Sequence, residues 1–123
     1  MFNGFISLRV KDPKRVAEWY TKHRILELMG GREDIGSQAL GSREHGYALI
    51  LLPGDAGTQT QSVQLHFHVK DVDAEYKRLS GEDVAFEEPP KNMPWGWRHA
   101  YTKDPAGYTV ELCSPLPQAH VKS

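Results

Sequence analysis

Apolar and polar side chains alternate through "FISLRVKDP" (Phe5–Pro13), the pattern of a half-buried strand. Asp12-Pro13 then supplies a helix cap followed by proline at the first helical position. Val16, Trp19, Tyr20 and His23 follow at helical spacing, and Val16, Trp19 and Tyr20 are the expected buried stripe. Short extended pieces are predicted at Leu26–Met29 and Gln38–Leu40. A strand over Tyr47–Leu52 ends at Pro53-Gly54.

The second half repeats this order. "VQLHFHVKDV" (Val63–Val72) reads as a strand leading into a second Val-Lys-Asp, and a helix through Ala74, Tyr76, Lys77 and Leu79 stops at Ser80-Gly81. Extended pieces follow at Val84–Phe86 and Trp97–Thr102, then a "DPAG" turn and a last strand, Tyr108–Leu112. The hexapeptide "GYALIL" (Gly46–Leu51) returns as "GYTVEL" (Gly107–Leu112), with Ile50 in one copy and Glu111 in the other. A strand-helix-strand-strand-strand unit is thus written twice. One helix covers only one face of a four-stranded sheet, so the second copy supplies the remaining cover. The predicted class is α+β: two βαβββ modules forming a curved mixed sheet with a concave ligand cup, helices on the outer face. The expected boundaries are a single domain over 1–123, a first module over 5–54, a flexible linker over 55–61, a second module over 62–114 and a loosely held tail over 115–123.

Composition narrows the function classes. A chain of 123 residues buries about two-thirds of its unfolded surface and folds without staples. The net charge is −1 and the basic residues are scattered, so nucleic acid is not an expected partner. Cys113 is the only cysteine, which excludes an intrachain disulfide and a cysteine-based zinc site. The N-terminus lacks a charged start with a long apolar run, and no apolar stretch approaches the roughly 20 residues of a membrane span. The expectation is a soluble cytoplasmic protein with no membrane partner.

"FISLRVKDPKRVAEWY", "VQLHFHVKDVDAEYKRL" and "PWGWRHAYTKDPAGYTVEL" resemble the vicinal oxygen chelate superfamily, which includes glyoxalase I, bleomycin-resistance proteins, fosfomycin-resistance enzymes and extradiol dioxygenases. The resemblance covers residues 5 to 114 and is most specific from Pro94-Trp95-Gly96 through Asp104-Pro105 to Glu111. One departure is Arg24-Ile25, where the family usually has a leucine-glycine pair before its second strand. The resemblance implies a homodimer. It also implies a divalent metal held by four side chains, one near the start of each half's first strand and one on each half's last strand. Carried onto this sequence, those positions are Phe5, Ile50, Gln64 and Glu111.

Strand alternation sorts the candidates by face. Leu65, Phe67 and Val69 pack under the helices, while Gln64, His66 and His68 face the cup. Phe5, Ser7 and Arg9, then Ala48, Ile50 and Leu52, then Thr109, Glu111 and Cys113 face it from the other strands. Phenylalanine and isoleucine cannot ligate, and Gln64 offers only a neutral oxygen, so no cofactor is expected at the inherited position. A rival set is His66, His68 and Glu111, two imidazoles on one strand face with a carboxylate, which suits zinc, iron(II) or manganese. Trp95 and Trp97 flank a glycine and offer flat faces for stacking. Both are candidate ligand contacts, Trp97 the favoured one, while for Trp95 a turn position with its ring filling core space is the favoured reading. Arg9 is expected at the rim, and His23, His45, His99 and His120 in loop or rim positions. A Glu111–His66 pair also suits proton transfer. Three readings follow. The first is a metal-free protein of the bleomycin-resistance kind that sequesters a planar or bulky small molecule. The second is a metal-dependent lyase, isomerase or dioxygenase, and the third a metal-free acid-base enzyme.

Overall fold

In the computed structural model, which describes residues 4–117, each Val-Lys-Asp closes a strand and opens a helix. Strand β1 (Ile6–Val10) leads to Asp12, whose carboxylate accepts the Arg15 amide at 3.2 Å and caps α1 (Pro13–Lys22). Three strands follow: β2 (Glu27–Arg32), β3 (Ser37–Ser42) and β4 (Gly46–Pro53). The same order recurs from β5 (Gln64–His68). Asp71 caps α2 (Val72–Gly81) through the Ala74 amide at 3.0 Å, and β6 (Lys91–Asn92), β7 (Trp97–Lys103) and β8 (Thr109–Pro115) complete it.

Two compact units result. One runs to Thr60 and includes Asp104–Ala106; the other holds Gln61–Lys103 and the chain from Gly107. Each contains a four-stranded mixed sheet, in the order β1-β4-β3-β2 or β5-β8-β7-β6. The first strand of each module lies parallel to the last, and the remaining pairs are antiparallel. The α+β class and the βαβββ order of each module are as the sequence predicts.

Alternation holds on every strand that positions the site. Leu8, Val10, Leu49 and Leu51 are buried in the first unit, and Leu65, Val110 and Leu112 in the second. Helix α1 packs on β2, β3 and β4, and α2 on β7 and β8. The Tyr20 hydroxyl, buried on α1, donates to Asp104 at 2.6 Å within the first unit.

Five local features differ from the sequence reading. On α1 the buried residues are Pro13, Val16, Ala17 and Tyr20, while Trp19 is half-buried. His23 is not a loop residue: it caps the end of α1, buried, with its ring edge-on to Trp19 at 5.5 Å. The second strand of the second module is Lys91–Asn92 rather than Val84–Phe86. Val84 donates back to the Leu79 carbonyl behind a left-handed Asp83 (φ 67°), which leaves Phe86 a single bridge to Thr102. The segment expected as a flexible linker contains a 3-10 helix, Gly57–Gln61, where Asp55 accepts the Gly57 amide at 2.8 Å. The last strand runs past its expected end at Leu112 to Pro115, and the Leu116 amide bonds the Gly96 carbonyl at 2.8 Å. His120 lies outside the described residues. Among those residues, no helix is long and apolar enough to cross a membrane.

Candidate functional site

Strand register sets the contrast between the two modules. In the second, His66 on β5 pairs with Glu111 on β8, and Glu111 with Tyr101 on β7. In the first, the matching row is Ser7, Ile50 and Ala39. One module therefore carries an imidazole, a carboxylate and a phenol where the other carries a hydroxymethyl and two apolar groups.

A cavity of about 730 Å³ opens on the second unit. Its polar floor is Gln64, His66, His99, Thr109 and Glu111, its aromatic walls are Trp95, Trp97 and Tyr101, and Cys113 lies beside them. Trp97, His99 and Tyr101 share one face of β7 because side chains alternate along a strand. Between them Arg98 turns the other way. It forks Asp73 on α2 through two contacts of 2.8 Å and reaches Asn92 at 2.8 Å, which ties the strand to the helix beneath it. The Arg98 guanidinium holds the Asp73 carboxyl below its ordinary range.

Glu111 is the centre of the polar floor. His66 Nδ1 lies 3.1 Å from one carboxylate oxygen and His99 Nδ1 lies 3.2 Å from the other. A half-buried carboxylate needs such partners, because desolvation penalises an unpaired charge. His99 Nε2 is buried and has no hydrogen-bond partner among the described residues. Burial first, and then the Glu111 charge, push the Cys113 thiol above its ordinary value.

Of the candidates read from sequence, Gln64, His66, Trp95, Trp97 and Glu111 line this cavity together. Trp95 departs from its expected place in the core: Met93–Gly96 forms the turn, yet the ring is 65% exposed and stands at the cavity wall. His68 is exposed and meets Trp97 edge-on at 6.1 Å. Phe5, Arg9 and Ile50 belong to the first unit. There Phe5 packs edge-on to Tyr47 at 5.7 Å, and Arg9 donates to the Pro53 carbonyl at 3.3 Å. His45 is exposed in a turn, as expected. His99 is not a rim residue but a buried partner of Glu111. Its signal was the alternation of "WRHAY", which puts it on the face shared by Trp97 and Tyr101.

The residues at the family's metal position do not fit a metal. Phe5 and Ile50 have no donor atoms, and Gln64 offers a neutral oxygen. Both oxygens of Glu111 are already engaged by imidazoles. For the rival set, no three His, Cys, Asp or Glu side chains converge as ligands among the described residues.

A family model described as the glyoxalase/bleomycin resistance protein/dioxygenase superfamily matches residues 4–112. Among solved structures, TnmS3, an antibiotic binding protein from Streptomyces sp. CB03234, is 26% identical, with a TM-score of 0.72 over 94% of this chain and 97% of that one. A glyoxalase/bleomycin resistance protein from Streptomyces sp. CB03234 is 27% identical, with a TM-score of 0.67 over 92% of this chain and 100% of that one. TioX from Micromonospora sp. ML1 shares the fold at 20% identity, with a TM-score of 0.73 over 94% of this chain and 100% of that one. No curated protein matches the chain.

Proposed function

Since the chain belongs to the glyoxalase/bleomycin resistance protein/dioxygenase superfamily, we propose that it is a metal-independent small-molecule-binding protein that sequesters a planar ligand in the cavity of its second unit. The observation that carries this reading is the aromatic wall. Trp95, Trp97 and Tyr101 flank a space of about 730 Å³, within the range of sites that hold drug-sized molecules. Trp95 exposes 65% of its surface and lines this space, so its ring is open to a ligand there. Aromatic side chains bind flat molecules at low entropic cost, having few rotamers to freeze.

Two further facts support the reading. The family metal position has lost half its donors to Phe5 and Ile50. A structure that is 26% identical carries the description of an antibiotic binding protein. A thermal-shift screen of planar aromatic antibiotics in EDTA tests the proposal. A ligand present at 100 times its Kd adds about 2.7 kcal/mol to native stability, an easily measured rise in Tm. A panel that leaves Tm unchanged, with stabilisation arising instead from added zinc, iron(II) or manganese, would overturn it.

A further inference from the structure

The cavity has a defined hydrogen-bonding polarity. Glu111 receives His66 Nδ1 at 3.1 Å and His99 Nδ1 at 3.2 Å, one on each oxygen. An ionised carboxylate has only acceptor sites, and a neutral imidazole carries one N–H and one bare nitrogen. If either ring kept its proton on Nε2, two lone pairs would face each other across those short gaps. With Glu111 ionised and both imidazoles neutral, both rings hold the proton on Nδ1 and leave Nε2 as an acceptor.

The two bare nitrogens have different surroundings. That of His99 is buried and unpartnered. The His66 side chain is 54% exposed and lines the cavity, so its Nε2 is the polar atom it leaves for a ligand. Among the described residues, no lysine or arginine lines the cavity, while the Glu111 carboxylate does. An anionic ligand would meet a lone pair and a like charge with no cation to offset them. From this we infer that the cavity selects neutral planar ligands bearing a hydroxyl or N–H donor for His66 Nε2, and rejects carboxylates, 2-oxo acids and phosphonates. The inference deepens the sequestration reading and rests on it, because it names the chemistry of the ligand that reading leaves open.

Three ligands of one ring system test it: 2-naphthol, 2-methoxynaphthalene and 2-naphthoate, titrated at neutral pH against the full chain by calorimetry. A net hydrogen bond predicts that 2-naphthol binds about five- to tenfold tighter than its methyl ether. The naphthoate binds more weakly than either. His66→Phe keeps a flat ring without an acceptor, so naphthol and ether converge in affinity. Glu111→Gln removes the charge and keeps the shape, so the penalty on naphthoate shrinks whether or not His66→Phe folds. Two-bond proton–nitrogen spectra of the histidine rings give an independent readout, with His66 and His99 expected in the Nδ1–H form. Equal affinities for naphthol and ether, or naphthoate as the tightest of the three, overturn the inference and leave sequestration intact. Failure of all three to bind overturns both.

Discussion

Glu111 and Ile50 stand at the same register position of two copies of one strand, and the difference between them decides where polar chemistry resides. Glu111 is held by two imidazoles, one of which, His99, already has its other nitrogen buried without a partner. Glu111→Ala strips His99 of its remaining bond, and leaving a buried polar group unsatisfied costs about 1–3 kcal/mol. Urea denaturation is expected to show a loss of that size for Glu111→Ala and a smaller one for Glu111→Gln, whose amide oxygen still accepts from one ring. Equal stability of Glu111→Ala and the parent chain would contradict this account of the floor. Cys113 gives a second residue-scale test. Burial and the Glu111 charge raise its thiol pKa above the ordinary value, so the folded protein keeps the proton to higher pH than the unfolded chain does. The contribution of this group to stability is therefore lost as pH rises beyond the unfolded value. Alkylation of Cys113 by iodoacetamide near neutrality is expected to be slower than that of the denatured chain, and slower again with a ligand in the cavity.

At the level of elements, periodicity made the strands and helices legible because each has one buried and one open face. Leu8 and Val10 against Ser7 and Arg9, or Leu65 against His66, sort as the alternation says. Less was legible where a local hydrogen bond or backbone angle overrode the pattern. Val84–Phe86 looks extended, but the Leu79 carbonyl captures the Val84 amide and sheet pairing starts later, after Pro89-Pro90. Trp95 reads as core filler from its bulk, whereas a turn closed by Gly96 (φ 89°) carries it outward. His99 carries no motif, and only the shared face of β7 connects it to Glu111. Glu111, His66 and Trp97 were readable as candidates, and Glu111 with His66 as a pair; the second imidazole on Glu111, that of His99, was not. The departure at Arg24 has a backbone cost. It follows the α1 cap with φ 56°, a left-handed angle that glycine accepts freely and other residues adopt at about 1–2 kcal/mol. Glycine also gains freedom when unfolded, so Arg24→Gly is expected to stabilise by about 0.5–1 kcal/mol in urea denaturation. Destabilisation would mean that the contacts of the Arg24 side chain outweigh its backbone strain.

Across the whole molecule, the two modules share one plan and differ in the side chains they place on the open face. Both keep the capped helix, the mixed sheet and the buried strand faces. Only the second keeps a carboxylate, two imidazoles and a phenol on its open face, joined there by Trp95 and Trp97. The first presents Ser7, Ile50 and Ala39 at the corresponding row. The family scaffold is thus retained, while Phe5 and Ile50, at two of the positions expected to hold a metal, carry no donor atoms. The most direct measurement is a tryptophan-fluorescence titration with planar aromatic antibiotics in EDTA, on the parent chain and on Trp97→Ala. Saturable quenching that falls at least tenfold in affinity in Trp97→Ala is the predicted result. Quenching that requires added divalent metal, or that is unchanged in Trp97→Ala, would contradict it.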